Sequence, residues 1–197
     1  MSGGYYHRPV QIGQPSAFTV PWKGVSCSSY PGSRNFTPPA WVPVVRTYAT
    51  RHAATAVQWL RDSGIRIFEI TMTIPDAPAP IHELAADPTL LVGAGTVPDR
   101  ATTETCLAAG ARLIVAPWID ASLAAPCRTA NAVLILGALT PTEVRAVLAA
   151  GADVARRISA AGAAFVGMGG ALVDEKRIAA GDRVAIEAAA RQVMAAP

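Results

Sequence analysis

The sequence predicts an α/β fold built on a parallel sheet, and three observations predict it. Short apolar runs alternate with Ala/Leu-rich segments of helical spacing from about residue 41 onward. The runs are continuously apolar rather than alternating, as expected of strands covered on both faces. The helical segments end in a repeated phrase, "SGIR" (63–66), "AGAR" (109–112) and "AGAD" (150–153), each leading into the next apolar run. A glycine after a helix supplies the positive φ that the chain needs to leave it.

Taken in order, the predicted strands are "VPVVR" (42–46), "IRIFEITM" (65–72), "LLVGAG" (90–95), "RLIVAP" (112–117), "AVLILG" (132–137) and "AAFVGMG" (163–169). Helices are expected between them. Gly64, Gly110 and Gly151 close three of these at intervals that hold one or two βα units. Gly162 then repeats the helix-end signal only a few residues after Gly151, where a strand, a crossover helix and a second strand need roughly 30 residues. A unit is therefore missing, although "ADVARRI" (152–158) leaves room for a strand stub.

Residues 1–40 differ from the rest. They are dense in Gly, Pro and Ser, hold no sustained period, and read as a poorly ordered extension preceding one domain at 41–197. Three of the 17 basic residues (Arg8, Lys23, Arg34) and no acidic one lie there, so the other 14 balance the 14 acids of the body. The net charge of +3 thus belongs to the extension, and the body lacks the basic stripe that nucleic-acid binding requires. The chain is 51% hydrophobic with no apolar run of membrane-spanning length and no signal pattern, which predicts a cytoplasmic protein without a membrane partner. Cys27, Cys106 and Cys127 show no C-x-x-C spacing, and His7, His52 and His82 fall on separate segments. Neither a disulfide framework nor a metal site is expected.

Few residues invite chemistry. Glu69 lies inside an apolar strand, where desolvation would raise its pKa toward neutrality and make it a usable acid or base; an ion-paired or edge-strand glutamate reads the same way. "GAGTV" (93–97) follows the third strand and offers backbone amides and the Thr96 hydroxyl to an anion, or else is a tight turn only. Arg46 ends the first strand, placed either to bind a carboxylate or to pair with a surface acid. "LTPTE" (139–143) is a capping box, with Thr140 as cap, Pro141 at the first helical position and Glu143 reaching back.

In this order, "FEITMT", "GAGTV", "LIVAP", "LTPTE", "AGADV" and "GMGGALVDEKRIAAGD" make residues 42–197 resemble the 2-keto-3-deoxy-6-phosphogluconate / 4-hydroxy-2-oxoglutarate aldolases. The resemblance implies an eight-stranded TIM-type barrel, here shortened or partly open with six or seven parallel strands. It implies a class I lyase that forms pyruvate by aldol cleavage of 2-keto-3-deoxy sugar acid phosphates, without a cofactor, in a homotrimer. By matching position it makes Glu69 the proton-shuttling carboxylate, Arg46, Thr96 and Pro117 substrate-binding residues, and Gly169 and Gly170 the phosphate-binding turn. The family commonly has a serine at the position of Gly170.

The family's Schiff-base lysine belongs on the strand after "GADV". Here Arg156 and Arg157 stand near that place, and Lys23 and Lys176 are the only lysines of the chain. A guanidinium stays protonated and forms no imine. The expectation is an aldolase-family lyase impaired in catalysis, with a non-catalytic keto-acid-binding or assembly protein as the alternative.

Overall fold

The computed structural model describes residues 40–149, 153–154 and 165–195. Residues 1–39 of the expected extension (1–40), Gly151, Gly162, Arg156 and Arg157 lie outside the described residues, as does all but Asp153 and Val154 of the expected stub, while Ala40 begins the first strand. Seven parallel strands form one sheet: β1 (Ala40–Val45), β2 (Ile67–Thr71), β3 (Leu91–Gly95), β4 (Leu113–Ala116), β5 (Val133–Leu136), β6 (Asp153–Val154) and β7 (Phe165–Met168). Their order is β6-β5-β4-β3-β2-β1-β7. The first six strands follow one another across the sheet. The last one instead pairs beside the first, Trp41 opposite Val166 and Pro43 opposite Met168.

The sheet is a curled, incomplete TIM-type barrel of six strands and a two-residue stub. Closing such a barrel takes eight strands at a fixed tilt and shear. Among the described residues β6 and β7 remain edges, without a partner on their outer sides. Residues 155–164 are all that separate them in the chain, too few for a crossover helix and a further strand.

Among the described residues seven α-helices, α1 (Thr50–Asp62), α2 (Pro78–Ala85), α3 (Arg100–Ala108), α4 (Ala124–Thr129), α5 (Pro141–Ala149), α6 (Glu175–Ala179) and α7 (Arg183–Met194), connect or follow the strands. The repeated glycine phrase is a Schellman cap. Gly64 (φ +98°) donates to the Arg61 carbonyl, and Ile65 donates to that of Leu60. Gly110 (φ +103°) and Ala111 repeat the pattern on Leu107 and Cys106. The same geometry closes α4 through Asn131 (φ +52°) and α6 through Gly181 (φ +74°), two ends that carry no "GIR" or "GAR" phrase. Each motif satisfies carbonyls the helix would otherwise leave bare and turns the chain straight toward the next strand.

The expected capping box at α5 is present: the Glu143 amide donates to Thr140 Oγ1 at 3.2 Å, and Glu143 Oε2 accepts from the amides of Leu139 and Thr140, each at 2.8 Å. At α3 the cap is Asp99, whose carboxylate accepts from the Thr102 amide.

The main core lies between helices and sheet. Ala53, Ala56, Val57 and Leu60 of α1 share one buried cluster with Phe68 and Ile70 of β2, Val92 and Ala94 of β3, and Ile114 of β4. Side chains alternate across a strand. Ile67, Glu69, Thr71, Leu91, Gly93, Gly95 and Leu113 therefore face the opposite, inner side of the sheet, where Glu69, Gly93 and Leu113 stand in register.

Candidate functional site

Glu69 is held on the inner face of β2 by the absence of side chains beside it. A Cβ added to Gly95 would lie 2.6 Å from Glu69 Cδ and closer still to Oε1, so the carboxyl arm occupies the place of that missing methyl. Gly93 makes equivalent room for Leu113, whose Cβ would sit 2.9 Å from the added carbon. The two glycines of "GAGTV" thus lie inside β3 and serve as space for neighbouring side chains. The expectation that they bring backbone amides to an anion is corrected here: in the strand their amides belong to the sheet.

Glu69 is buried, with 8% of the residue exposed. Burial pushes its pKa from 4.5 up to about 7, and the Arg46 guanidinium pulls against that rise without forming an ion pair. A group so poised holds or releases a proton near neutrality.

Arg46 follows β1 directly, and its Nη2 donates to Thr96 Oγ1 at 2.9 Å. The alternative of a surface ion pair does not hold for it among the described residues. Thr96 follows β3 with φ +55°, a left-handed backbone that β-branched residues adopt only at a cost. The strand ends thus bring Arg46, Thr96 and, one layer below, Glu69 to the C-terminal end of the sheet. Thr71, next to Glu69 on the same face, donates to the Val45 carbonyl at 3.2 Å and ties β2 to β1 there.

Pro117 follows β4 at the same end. A Cβ on Gly137 would strike the Pro117 carbonyl, so this proline is seated on a glycine of the next strand's exit. Gly169 and Gly170 form the turn after β7, with the Gly169 carbonyl accepting from the amides of Leu172 and Val173, both at 2.9 Å. Both glycines are exposed, and nothing lies within 4 Å of a Cβ placed on either.

One contact of this turn has no signal in the sequence. His52 Nδ1 of α1 meets Glu175 Oε1 of α6 at 2.6 Å across 123 residues, anchoring the helix that follows the turn, while Glu175 Oε2 is buried without a partner. Lys176 is exposed in the first turn of α6. No group of three or more His, Cys, Asp or Glu residues able to hold a metal occurs among the described residues.

Comparison with known proteins decides the family. The family model described as "Aldolase: KDPG and KHG aldolase" matches residues 36–168. The chain belongs to the KDPG and KHG aldolase family. Within it, a probable 2-dehydro-3-deoxy-6-phosphogalactonate aldolase of Rhizobium meliloti is 32% identical over 114 residues, 57% of this chain and 54% of the relative. A 2-dehydro-3-deoxy-phosphogluconate aldolase of Treponema pallidum is 30% identical over 118 residues, 58% and 55% of the two chains. The chain spans about half the length of the curated relatives it matches.

Among solved structures, the KDPG aldolase of Legionella pneumophila, with pyruvate captured as a covalent carbinolamine, superposes with a TM-score of 0.66 at 22% identity, over 79% of this chain and 94% of that one. At that identity the likeness speaks for the barrel alone. No helix among the described residues is long and apolar enough to cross a membrane.

Proposed function

We propose that this KDPG/KHG-type aldolase chain binds the 2-keto acid head of a 2-keto-3-deoxy sugar acid and is impaired in aldol cleavage. The observation that carries the reading is Glu69, buried on the inner face with a pKa near 7 beneath the Arg46–Thr96 pair. A keto-acid carboxylate takes the Arg46 guanidinium in a charge-assisted contact, with the Thr96 hydroxyl beside it. Glu69 is then the base that removes a proton from the carbon next to the ketone and returns it.

Cleavage needs more than that base. In the Legionella relative pyruvate is held as a carbinolamine, which forms when a neutral amine adds to the ketone. The electron pair left by C–C cleavage then flows into the derived iminium. The lysines of this chain are Lys23, in the extension, and Lys176, on α6. With no lysine in the segment after "GADV", the electron pair left on carbon has only an unassisted enolate to enter, and the rate falls by several orders of magnitude. Gly169 and Gly170 are the family's phosphate turn by position, and the missing hydroxyl at Gly170 weakens that contact. The setting is that of a small-molecule enzyme of the cytoplasm that forms a homo-oligomer and uses no cofactor.

Calorimetry with pyruvate, followed by borohydride treatment and mass measurement, tests this. Pyruvate is expected to bind in the millimolar range, to lose at least tenfold in affinity with Arg46→Ala, and to leave no reduced adduct. A stable adduct together with cleavage of 2-keto-3-deoxy-6-phosphogluconate at an ordinary enzymatic rate overturns the impairment. Failure of pyruvate to bind at all favours the assembly-protein alternative.

A further inference from the structure

Four polar or charged side chains are buried among the described residues: Thr47, Glu69, Thr71 and Thr103. Thr103 bonds within its own helix, to the Asp99 carbonyl. The other three gather at the C-terminal ends of β1 and β2, around Arg46. A buried hydroxyl is spent on a partner, and both threonines spend theirs on backbone carbonyls of the β1 exit. Thr71 Oγ1 donates to the Val45 carbonyl at 3.2 Å, and Thr47 Oγ1 to that of Ala49 at 3.0 Å. In the chain these two carbonyls lie on either side of Arg46.

Thr71 has a second contact, with its Oγ1 2.8 Å from Thr73 Oγ1. A hydroxyl has one proton to give and a carbonyl can only accept, so the Thr71 proton is committed to Val45 and the proton of the second contact comes from Thr73. The result is a directed chain from the Thr73 hydroxyl to the Thr71 hydroxyl to the Val45 carbonyl. A hydroxyl that accepts one bond donates the next more strongly. Thr73, where the chain starts, is exposed and lines a cleft of about 310 Å³ that Thr96 also lines.

The Val45 carbonyl shares one rigid peptide plane with the Arg46 amide. Holding its oxygen fixes the plane from which Arg46 departs, and the Thr47 bond holds the chain on the other side. Between these anchors the guanidinium reaches Thr96 Oγ1 at 2.9 Å. Thr71 also follows Glu69 on the same face of β2, so one hydroxyl ties the strand that carries the base to the residue that carries the cation.

We propose that Thr71 is a positioning residue of the keto-acid site: its hydroxyl, backed by that of Thr73, aims Arg46 at the ligand carboxylate through the Val45–Arg46 peptide. The inference rests on the keto-acid reading above and deepens it by naming what orients the cation. Thr71 acts through Arg46 and makes no contact with the ligand itself.

Pyruvate titrations of the full chain followed by NMR, with denaturant melts alongside, test it in a double-mutant cycle. Thr71→Val keeps the shape of the side chain and removes the hydroxyl. It is expected to weaken pyruvate binding roughly fivefold with Arg46 in place and by less than about twofold in the Arg46→Ala background. Thr71→Ser keeps the hydroxyl and is expected to bind within about twofold of the wild-type chain. Any loss of stability is expected to be equal in the two backgrounds, so the melts read the structural part of the effect and the difference in affinity reads the positioning part. Thr73→Val, at an exposed position where the fold survives, is expected to weaken binding about threefold, again only where Arg46 is present. A direct contact between Thr73 and pyruvate would persist without Arg46. Wild-type affinity in Thr71→Val overturns the proposal, as does an equal loss in both backgrounds, which marks Thr71 as structural. Should Thr71→Val fail to fold, wild-type affinity in Thr73→Val overturns it. Each of these leaves the keto-acid reading intact, whereas a wild-type chain that binds no pyruvate overturns that reading and the inference with it.

Discussion

Glu69 makes a contribution of definite sign to the pH dependence of stability. Its carboxyl titrates at 4.5 when unfolded and at about 7 in the fold, raised chiefly by burial. Between those values the folded protein binds more protons than the unfolded one, so stability present below pH 4.5 is lost as the pH rises to about 7 and stays lost above it. The shift corresponds to roughly 3 kcal/mol. Glu69→Gln, which is neutral at every pH, is expected to flatten this decline; denaturant melts at pH 4.5 and 7.5 check it, and an unchanged slope refutes the assignment. At Gly95 a methyl group collides with the Glu69 arm, so Gly95→Ala is expected to cost about 1–3 kcal/mol and to lower pyruvate affinity. Thr96→Gly separates the two roles of that position. It relieves the left-handed strain, worth about 1 kcal/mol, while removing the hydroxyl that orients Arg46, so the melting temperature is expected to rise as pyruvate affinity falls.

At the scale of elements, the helix ends were legible in the sequence and the side-chain space between strands was not. "SGIR" and "AGAR" announce Schellman caps because only glycine enters the left-handed region without cost, and the fold places Gly64 and Gly110 there. Asn131 performs the same turn after α4 without being announced, since asparagine occurs in many other settings. Asn131→Gly is expected to raise stability by a few tenths of a kcal/mol up to about 1. Gly110→Ala is expected to lower it by 1–3 kcal/mol, because its φ is +103° and the new Cβ would stand 2.6 Å from that of Ala85. Differential scanning calorimetry of the pair reads both signs in one experiment. The His52–Glu175 contact joins helices 123 residues apart and had no local mark of any kind.

At the scale of the molecule, the open sheet is the dominant fact. Among the described residues β6 and β7 have no sheet partner on their outer sides, and Tyr48, Trp118 and Leu139 stand exposed just beyond β1, β4 and β5. Unpaired edges and apolar surface at one end of a sheet favour association. Sedimentation velocity is expected to show species larger than a monomer that grow with concentration; a monodisperse, cooperatively unfolding monomer contradicts this. The sequence by itself determined the α/β class, the first five strands, the helix stops and Glu69 as a carboxyl in an apolar strand, because periodicity, glycine geometry and burial are local properties of a chain. Tertiary structure alone decided that Gly95 yields its space to Glu69 and that Arg46 turns to Thr96. Those outcomes depend on which strands become neighbours, and neighbours in a parallel sheet are brought together by crossovers that no short window of sequence contains.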